Sequence, residues 1–206
     1  MPGRFALLAD GAALADRLRL GAVPDDPPPR WNVSPGQEIL AVDERRVLRA
    51  MRWGIIPVGR VNARGRPVME TIINARSETV FDKSAFDGVG RAVVPASHWY
   101  EWTGKARSKT AWRIARADGL PLIFAAIWDR WAAPGGSVTV DQVATVTCEP
   151  NADVRDIHHR MGVLLEAEAV EVWLQGTAEE AQALCRPAPD GSLVVSRADD
   201  VDWSGP

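Results

Sequence analysis

Leu122-Ile123-Phe124-Ala125-Ala126-Ile127-Trp128 is the longest apolar run in the chain. It is far too short to span a bilayer as a helix. Bounded by Gly119 and Pro121 on one side and by charged residues on the other, it reads as a buried β-strand. Working outward, Ala92 to Val94, Ala111 to Ala115 and Thr139 to Thr147 are further strand candidates. Towards the start of the chain, Ile39 to Val42 and Val47 to Trp53 are joined by the charged turn Asp43-Glu44-Arg45-Arg46; towards the end, Leu193 to Ser196 gives a last short strand. Turns and loops separate these strands, not regular crossover helices. The pattern predicts an α+β fold with a curved, mainly antiparallel sheet as core and helices at its periphery.

The helices are short. Asp10 can cap one over residues 10–20, with Leu14 and Leu18 on one face. Ser77 to Phe86 predicts another, with Val80 and Phe81 facing the core. Asn151 is a candidate cap for a short helix ending near His158. Glu166 to Leu174 reads as helical, and Thr177 with Glu180 forms a capping-box signature for a helix to Leu184. Pro24-Asp25-Asp26-Pro27-Pro28-Pro29 predicts a stiff extended connector, and residues 59–67 a basic, Gly-containing loop. No internal repeat and no linker separates two cores, so one domain over residues 1–206 is expected.

A hydrophobic fraction of 46% with 25% charged residues is that of a soluble globular protein. No apolar signal segment follows the start, so a cytoplasmic location without a membrane partner is expected. Cys148 and Cys185 lie far apart without ligand spacing, so neither a metal nor another cofactor is expected, and a monomer is the simplest state. The net charge of −3 lacks the basic surplus of a protein gripping many phosphates, so any nucleic-acid contact must come from a local patch. Nine tryptophans could stack on unpaired bases, although most Trp residues serve cores.

Some residues carry chemistry by type and setting. Glu101 lies among Trp99, Tyr100 and Trp102, an apolar context that raises a carboxyl pKa and favours the acid form; a structural Glu at a strand end is the alternative. His158 is either a proton carrier or an imidazole at a helix end. Asn74 and Arg76 share a face if their segment is extended. Cys148, at the end of an apolar strand, is expected to be inert.

Six segments also occur in a telling order: Gly3-Arg4-Phe5, Trp31-Asn32-Val33-Ser34-Pro35-Gly36, Met51-Arg52-Trp53-Gly54-Ile55-Ile56-Pro57, Ile73-Asn74-Ala75-Arg76-Ser77-Glu78-Thr79, Pro95-Ala96-Ser97-His98-Trp99-Tyr100-Glu101-Trp102 and Ile157-His158-His159-Arg160-Met161. Together they resemble the SRAP family of SOS response-associated peptidases, or abasic-site processing proteins. The resemblance implies a compact α+β fold with a positively charged cleft for single-stranded DNA containing abasic sites. It implies loss of the initiator methionine, peptidase-like self-processing, and a new N-terminal cysteine that traps the abasic aldehyde as a thiazolidine. It assigns Asn74 to holding the N-terminal residue, Glu101 and His158 to acid–base work, and Arg4, Arg76 and Arg160 to phosphates. Pro35 falls at a DNA-contacting position.

The chain departs from that pattern. Residue 2 is proline, which has neither a thiol nor a primary amine, so no thiazolidine can form. Once Met1 is removed, the secondary amine of Pro2 could still condense with an aldehyde, giving a reversible iminium. His98 stands where glycine is usual and would carry strain if φ were positive. His159 replaces an acidic or amide residue. Gly59 follows the Trp-Gly-x-x-Pro motif without a ring to stack, and Gly162 replaces a proline, which would loosen the loop after His158. Three readings follow: an abasic-site enzyme using the Pro2 amine, a non-catalytic single-stranded DNA binder, or an N-terminal-proline enzyme acting on a small carbonyl compound.

Overall fold

The apolar run seen in the sequence is the first half of strand β9 (Leu122–Ala132), and Leu122 through Ile127 are all buried. Burial on both faces explains why the run is continuous and not alternating. The computed structural model describes residues 2–21, 27–56, 71–82, 86–105, 108–133, 135–136 and 138–205. In chain order the strands before β9 are β1 (Arg4–Leu7), β2 (Arg30–Val33), β3 (Glu38–Asp43), β4 (Leu48–Trp53), β5 (Asn74–Arg76), β6 (Gly90–Ala96), β7 (His98–Lys105) and β8 (Ser108–Arg116). After it come β10 (Thr139–Cys148), β11 (Met161–Gly162) and β12 (Leu193–Arg197).

β9 lies between β6 and β10, antiparallel to both. β10 runs parallel to β4, β4 pairs antiparallel with β3, and β3 with β6. These five strands therefore close a circuit, which leaves that set without a free edge. β5 adds to β10 in parallel and β11 adds antiparallel. A second sheet, in the order β12-β8-β7-β1-β2, is antiparallel throughout. The α+β class and mainly antiparallel character hold. The refinement is that the curved sheet closes on itself and a second sheet packs beside it. Phe5 meets Trp53 at 5.0 Å between ring centroids and Trp99 meets Phe124 at 5.8 Å, so the inner faces of the two sheets share a core.

Helix α1 (Gly11–Leu18) starts where Asp10 accepts from the Ala13 amide at 2.8 Å, and Leu14 and Leu18 are fully buried. A 3₁₀ turn (Ala167–Ala169) leads into α2 (Val170–Gln175), whose Trp173 indole donates to the Ala92 carbonyl at 2.8 Å. α3 (Ala178–Ala183) carries the complete Thr177–Glu180 capping box. None of the described helices is long and apolar enough to cross a membrane.

Two expected helices are turns instead. Residues 77–82 form successive turns because the Ser77 amide donates to Thr147 of β10, tying the segment to a strand; Val80 is nevertheless buried. Residues 152–157 also turn without becoming a helix. The Asn151 side-chain nitrogen donates to Asp153 and the Pro189 carbonyl, and its Oδ1, the atom a cap would use, accepts no hydrogen bond among the described residues. His98 has no positive φ, so its expected strain is absent. Residues 22–26 and 57–70, which include Pro24-Asp25-Asp26 of the proline connector, Pro57, Gly59 and the basic loop, lie outside the described residues.

Candidate active site around residue 2

β10 organises one side of the site. Its Thr145 and Thr147 sit in register with Asn74 and Arg76 of β5. The Thr145 hydroxyl donates to Asn74 Oδ1. That bond turns the Asn74 amide nitrogen the other way, where it donates to the Pro2 carbonyl at 2.9 Å. Pro2 is itself buried. Its ring lies near Gly162: a Cβ on that glycine would stand 3.6 Å from Pro2 Cγ and 2.4 Å from the Phe124 ring. Gly162 therefore does not loosen the chain. It is a buried residue of β11, bare because Phe124 packs onto its backbone.

Glu101 approaches from β7. Only 4% of it is exposed, and its neighbours Tyr100 and Trp102 point to the opposite face of the strand. Burial pushes its carboxyl up to about 7, against the opposing charge of the chain's terminal amine. The same amine charge, after desolvation, pushes His158 down to about 4, with His159 adding to the effect. Glu101 and His158 thus both respond to the terminal amine, which is that of Met1, the residue before Pro2. The Arg160 amide donates to His158 Nδ1 at 3.0 Å, and the Arg160 carbonyl lies 3.1 Å from the same nitrogen. An amide can only donate, so in the neutral ring Nδ1 accepts and Nε2 carries the hydrogen. His159, exposed, stacks on His158 with centroids 4.4 Å apart.

The candidate phosphate contacts divide. Arg76 is exposed, and its guanidinium makes no hydrogen bond or ion pair among the described residues. Arg160 reaches the same strand end, donating to the Thr147 carbonyl at 2.5 Å. Its guanidinium also forks onto both oxygens of Glu78, and this contact holds the Glu78 carboxyl down at about 2. Arg4 is elsewhere: it pairs with Tyr100 across the β1–β7 ladder, which puts its side chain on the face opposite Glu101. There it donates to Asn32 Oδ1 at 2.5 Å. Arg4 thus sits on a different sheet face from Glu101, while Arg76 and Arg160 share the strand end at Thr147. Pro35 is exposed in the turn between β2 and β3.

Other ionisable groups are less available. Cys148 is buried and its thiol is pushed up to about 12, as an inert core cysteine would be. His98 is buried at Tyr100, 2.8 Å from the phenol oxygen, which in turn donates to the Trp31 carbonyl. Three tryptophans, Trp53, Trp99 and Trp173, are fully enclosed. Trp31 and Trp203 are the exposed ones, at 50% and 37%.

Sequence reasoning missed Thr145, whose hydroxyl orients Asn74, and no local signal marks it. It also missed Asn32 and Glu78, although both stand inside the motif segments. Trp203 left a trace only in the tryptophan count.

A closed, mixed barrel beside an antiparallel sheet, with residue 2 held by an asparagine between them, defines the class. The chain belongs to the SOS response associated peptidase (SRAP) family, whose model matches residues 1–201. It is 32% identical to the abasic site processing protein YedK of Escherichia coli, over 96% of this chain and 93% of that one. It is 31% identical to the abasic site processing protein YoaM of Bacillus subtilis, over 84% and 79%. The chicken abasic site processing protein HMCES matches at 30% over 72% of this chain and 52% of its own length. Among solved structures, a Bordetella bronchiseptica protein superposes with a TM-score of 0.77 at 26% identity, covering 96% of this chain and 99% of that one. A Bacteroides thetaiotaomicron protein shares the fold, with a TM-score of 0.78 at 20% identity and coverages of 96% and 92%.

Proposed function

We propose that this chain processes abasic sites in single-stranded DNA, and that the amine of Pro2, freed by removal of Met1, condenses reversibly with the ring-opened sugar aldehyde. The names of the relatives support the substrate class. The observation that carries the mechanism is the Asn74 bond to the Pro2 carbonyl, which fixes residue 2 in a buried site, with Glu101 and His158 responding to the amine of the preceding residue, Met1.

The steps balance as follows. The neutral secondary amine attacks the aldehyde carbon. A C–N bond forms, and the carbonyl oxygen takes the Glu101 proton. The ammonium proton returns to the Glu101 carboxylate, leaving a neutral carbinolamine. The nitrogen lone pair then expels the hydroxyl, which leaves as water with the Glu101 proton. The products are an iminium cation, a Glu101 carboxylate and water. A carboxyl with a pKa of about 7 suits this exchange near neutral pH. His158, neutral with its hydrogen on Nε2, donates a hydrogen bond to the departing hydroxyl. Hydrolysis runs the same steps backwards. The iminium also acidifies the adjacent C–H of the sugar, which opens a lyase branch that cuts the strand.

Borohydride tests this reading. It reduces an iminium to a stable amine, so an abasic single strand is expected to give a denaturation-resistant complex only in its presence, with the mass increase on Pro2. A complex that survives heating without reductant would point to another nucleophile. Retention of Met1 in the intact mass would remove Pro2 from the mechanism.

A further inference from the structure

The tail that follows β12 crosses the face of the second sheet opposite Glu101. Its Trp203 ring meets Tyr100 edge-on at 4.9 Å and Trp102 at 5.3 Å. These are the two residues that flank Glu101 in sequence, and they lie on the tail's side of β7. The carbonyls of Trp203 and Gly205 both accept from Asn32 Nδ2, at 2.9 and 3.0 Å. Asn32 is 3% exposed, and its oxygen accepts from Arg4. Both ends of the Asn32 amide are therefore engaged, one by the tail and one by β1. β1 is four residues long, begins two residues after Pro2, and is flanked by β2 and β7.

We propose that Arg4 is a positioning residue: through Asn32 it ties the strand presenting Pro2 to the tail Ala198–Gly205, whose Trp203 also braces the strand presenting Glu101, so that one C-terminal clamp sets the spacing of amine and acid. The role differs from a phosphate contact because Arg4 lies on the sheet face away from Glu101 and its guanidinium donates to a buried amide. The tail is fastened independently at its start, where the Ala198 amide donates to the Ala111 carbonyl at 3.0 Å and Asp200 pairs with Arg113 at 2.8 Å. A fastened tail can hold two strands in fixed relation, and near-attack geometry tolerates little slack: a displacement of about 1 Å can cost about 10²-fold in rate.

The clamp rests on the reading of Pro2 as nucleophile, and the test separates the two. Full-length Arg4→Met, Arg4→Lys and Trp203→Ala are compared with the parent on an abasic single strand and on an intact one. At saturating DNA, Arg4→Met and Trp203→Ala are expected to slow borohydride trapping about tenfold to a hundredfold. The salt dependence of intact-strand binding should stay unchanged, and Arg4→Lys, which can still donate to Asn32, should recover most of the rate. An Arg4→Met slope lowered by about 0.7, with the rate at saturation unaltered, would identify a phosphate contact and overturn the proposal. So would a parental trapping rate in Trp203→Ala. If the parent traps no aldehyde, the nucleophile reading fails, and the clamp is judged by NMR titration of the Glu101 carboxyl. Movement towards the ordinary carboxylate range in Trp203→Ala supports the clamp, and an unmoved titration overturns it. Should Trp203→Ala not fold, Asn32→Asp takes its place, because it keeps the acceptor for Arg4 and loses both donors to the tail.

Discussion

At the scale of single residues, pH acts in opposite directions on Glu101 and His158. Burial raises the Glu101 carboxyl from 4.5 in the unfolded chain to about 7. Folding therefore favours its proton. That contribution to stability is fully present below about 4.5 and is lost as pH rises through about 7. His158 is lowered from 6.5 to about 4, so its contribution is present above about 6.5 and is lost as pH falls through about 4. Glu101→Gln carries no charge at any pH. Its melting temperature relative to the parent should rise between pH 5 and pH 8, and a gap that stays constant would show that the carboxyl is not held in its acid form. The same substitution cannot transfer a proton, so trapping should slow by about 10²–10⁴ with affinity for the strand nearly unchanged. His158→Ala should slow it less, because a ring with a pKa of about 4 donates a hydrogen bond near neutral pH and does not carry the proton.

At the scale of elements, Gly162 shows how a two-residue strand shapes the site. An added Cβ would meet the Phe124 ring at 2.4 Å, a contact that only a shift of that buried ring could relieve. Gly162→Ala is expected to destabilise the fold by about 1–3 kcal/mol in urea unfolding. If Phe124 shifts onto the Pro2 ring, it should slow trapping as well. A neutral effect on stability would mean that the ring has room to move aside.

This element also marks where the sequence stopped being legible. β9, β10, β3, β4, β6 and β8 were readable because each carries an apolar or alternating run of its own. β1 and β2 are four residues each and β7 opens with His-Trp-Tyr-Glu-Trp, too short or too irregular for a period to emerge, and only their ladders make them strands. The expected helices at 77–86 and 151–158 fail for the converse reason. Their local pattern is helical, but long-range contacts hold their starts: Ser77 is bonded to β10 and the Asn151 side chain to the Pro189 carbonyl. Asn74, Glu101 and His158 could be named from motif order. That the Asn74 amide faces Pro2 depends on Thr145, 71 residues away, and no local pattern encodes it.

At the scale of the whole molecule, the proposed single-stranded DNA substrate is a polyanion, whereas the chain carries a net charge of −3. Several arginines among the described residues are already spent on carboxylates: Arg49 on Asp43 and Asp141, Arg113 on Asp200, Arg116 on Asp118 and Glu166, Arg130 on Asp141. Arg76 is left exposed next to Arg160, which Glu78 neutralises. Each phosphate neutralised on a single strand contributes about 0.7 to the salt slope, so few contacts imply a shallow slope of about 1–2. Arg76→Ala should lower it by about 0.7. Glu78 occupies Arg160 with the planar, two-oxygen geometry that a phosphate would use. Glu78→Gln removes the competing charge, and is expected to tighten binding at low salt and steepen the slope by about 0.7 as Arg160 takes up a phosphate. Weaker binding in Glu78→Gln, with the fold intact, would instead mean that the carboxylate aims Arg160 at the strand. The direction of that one change therefore decides whether Glu78 opposes the ligand or prepares the site for it.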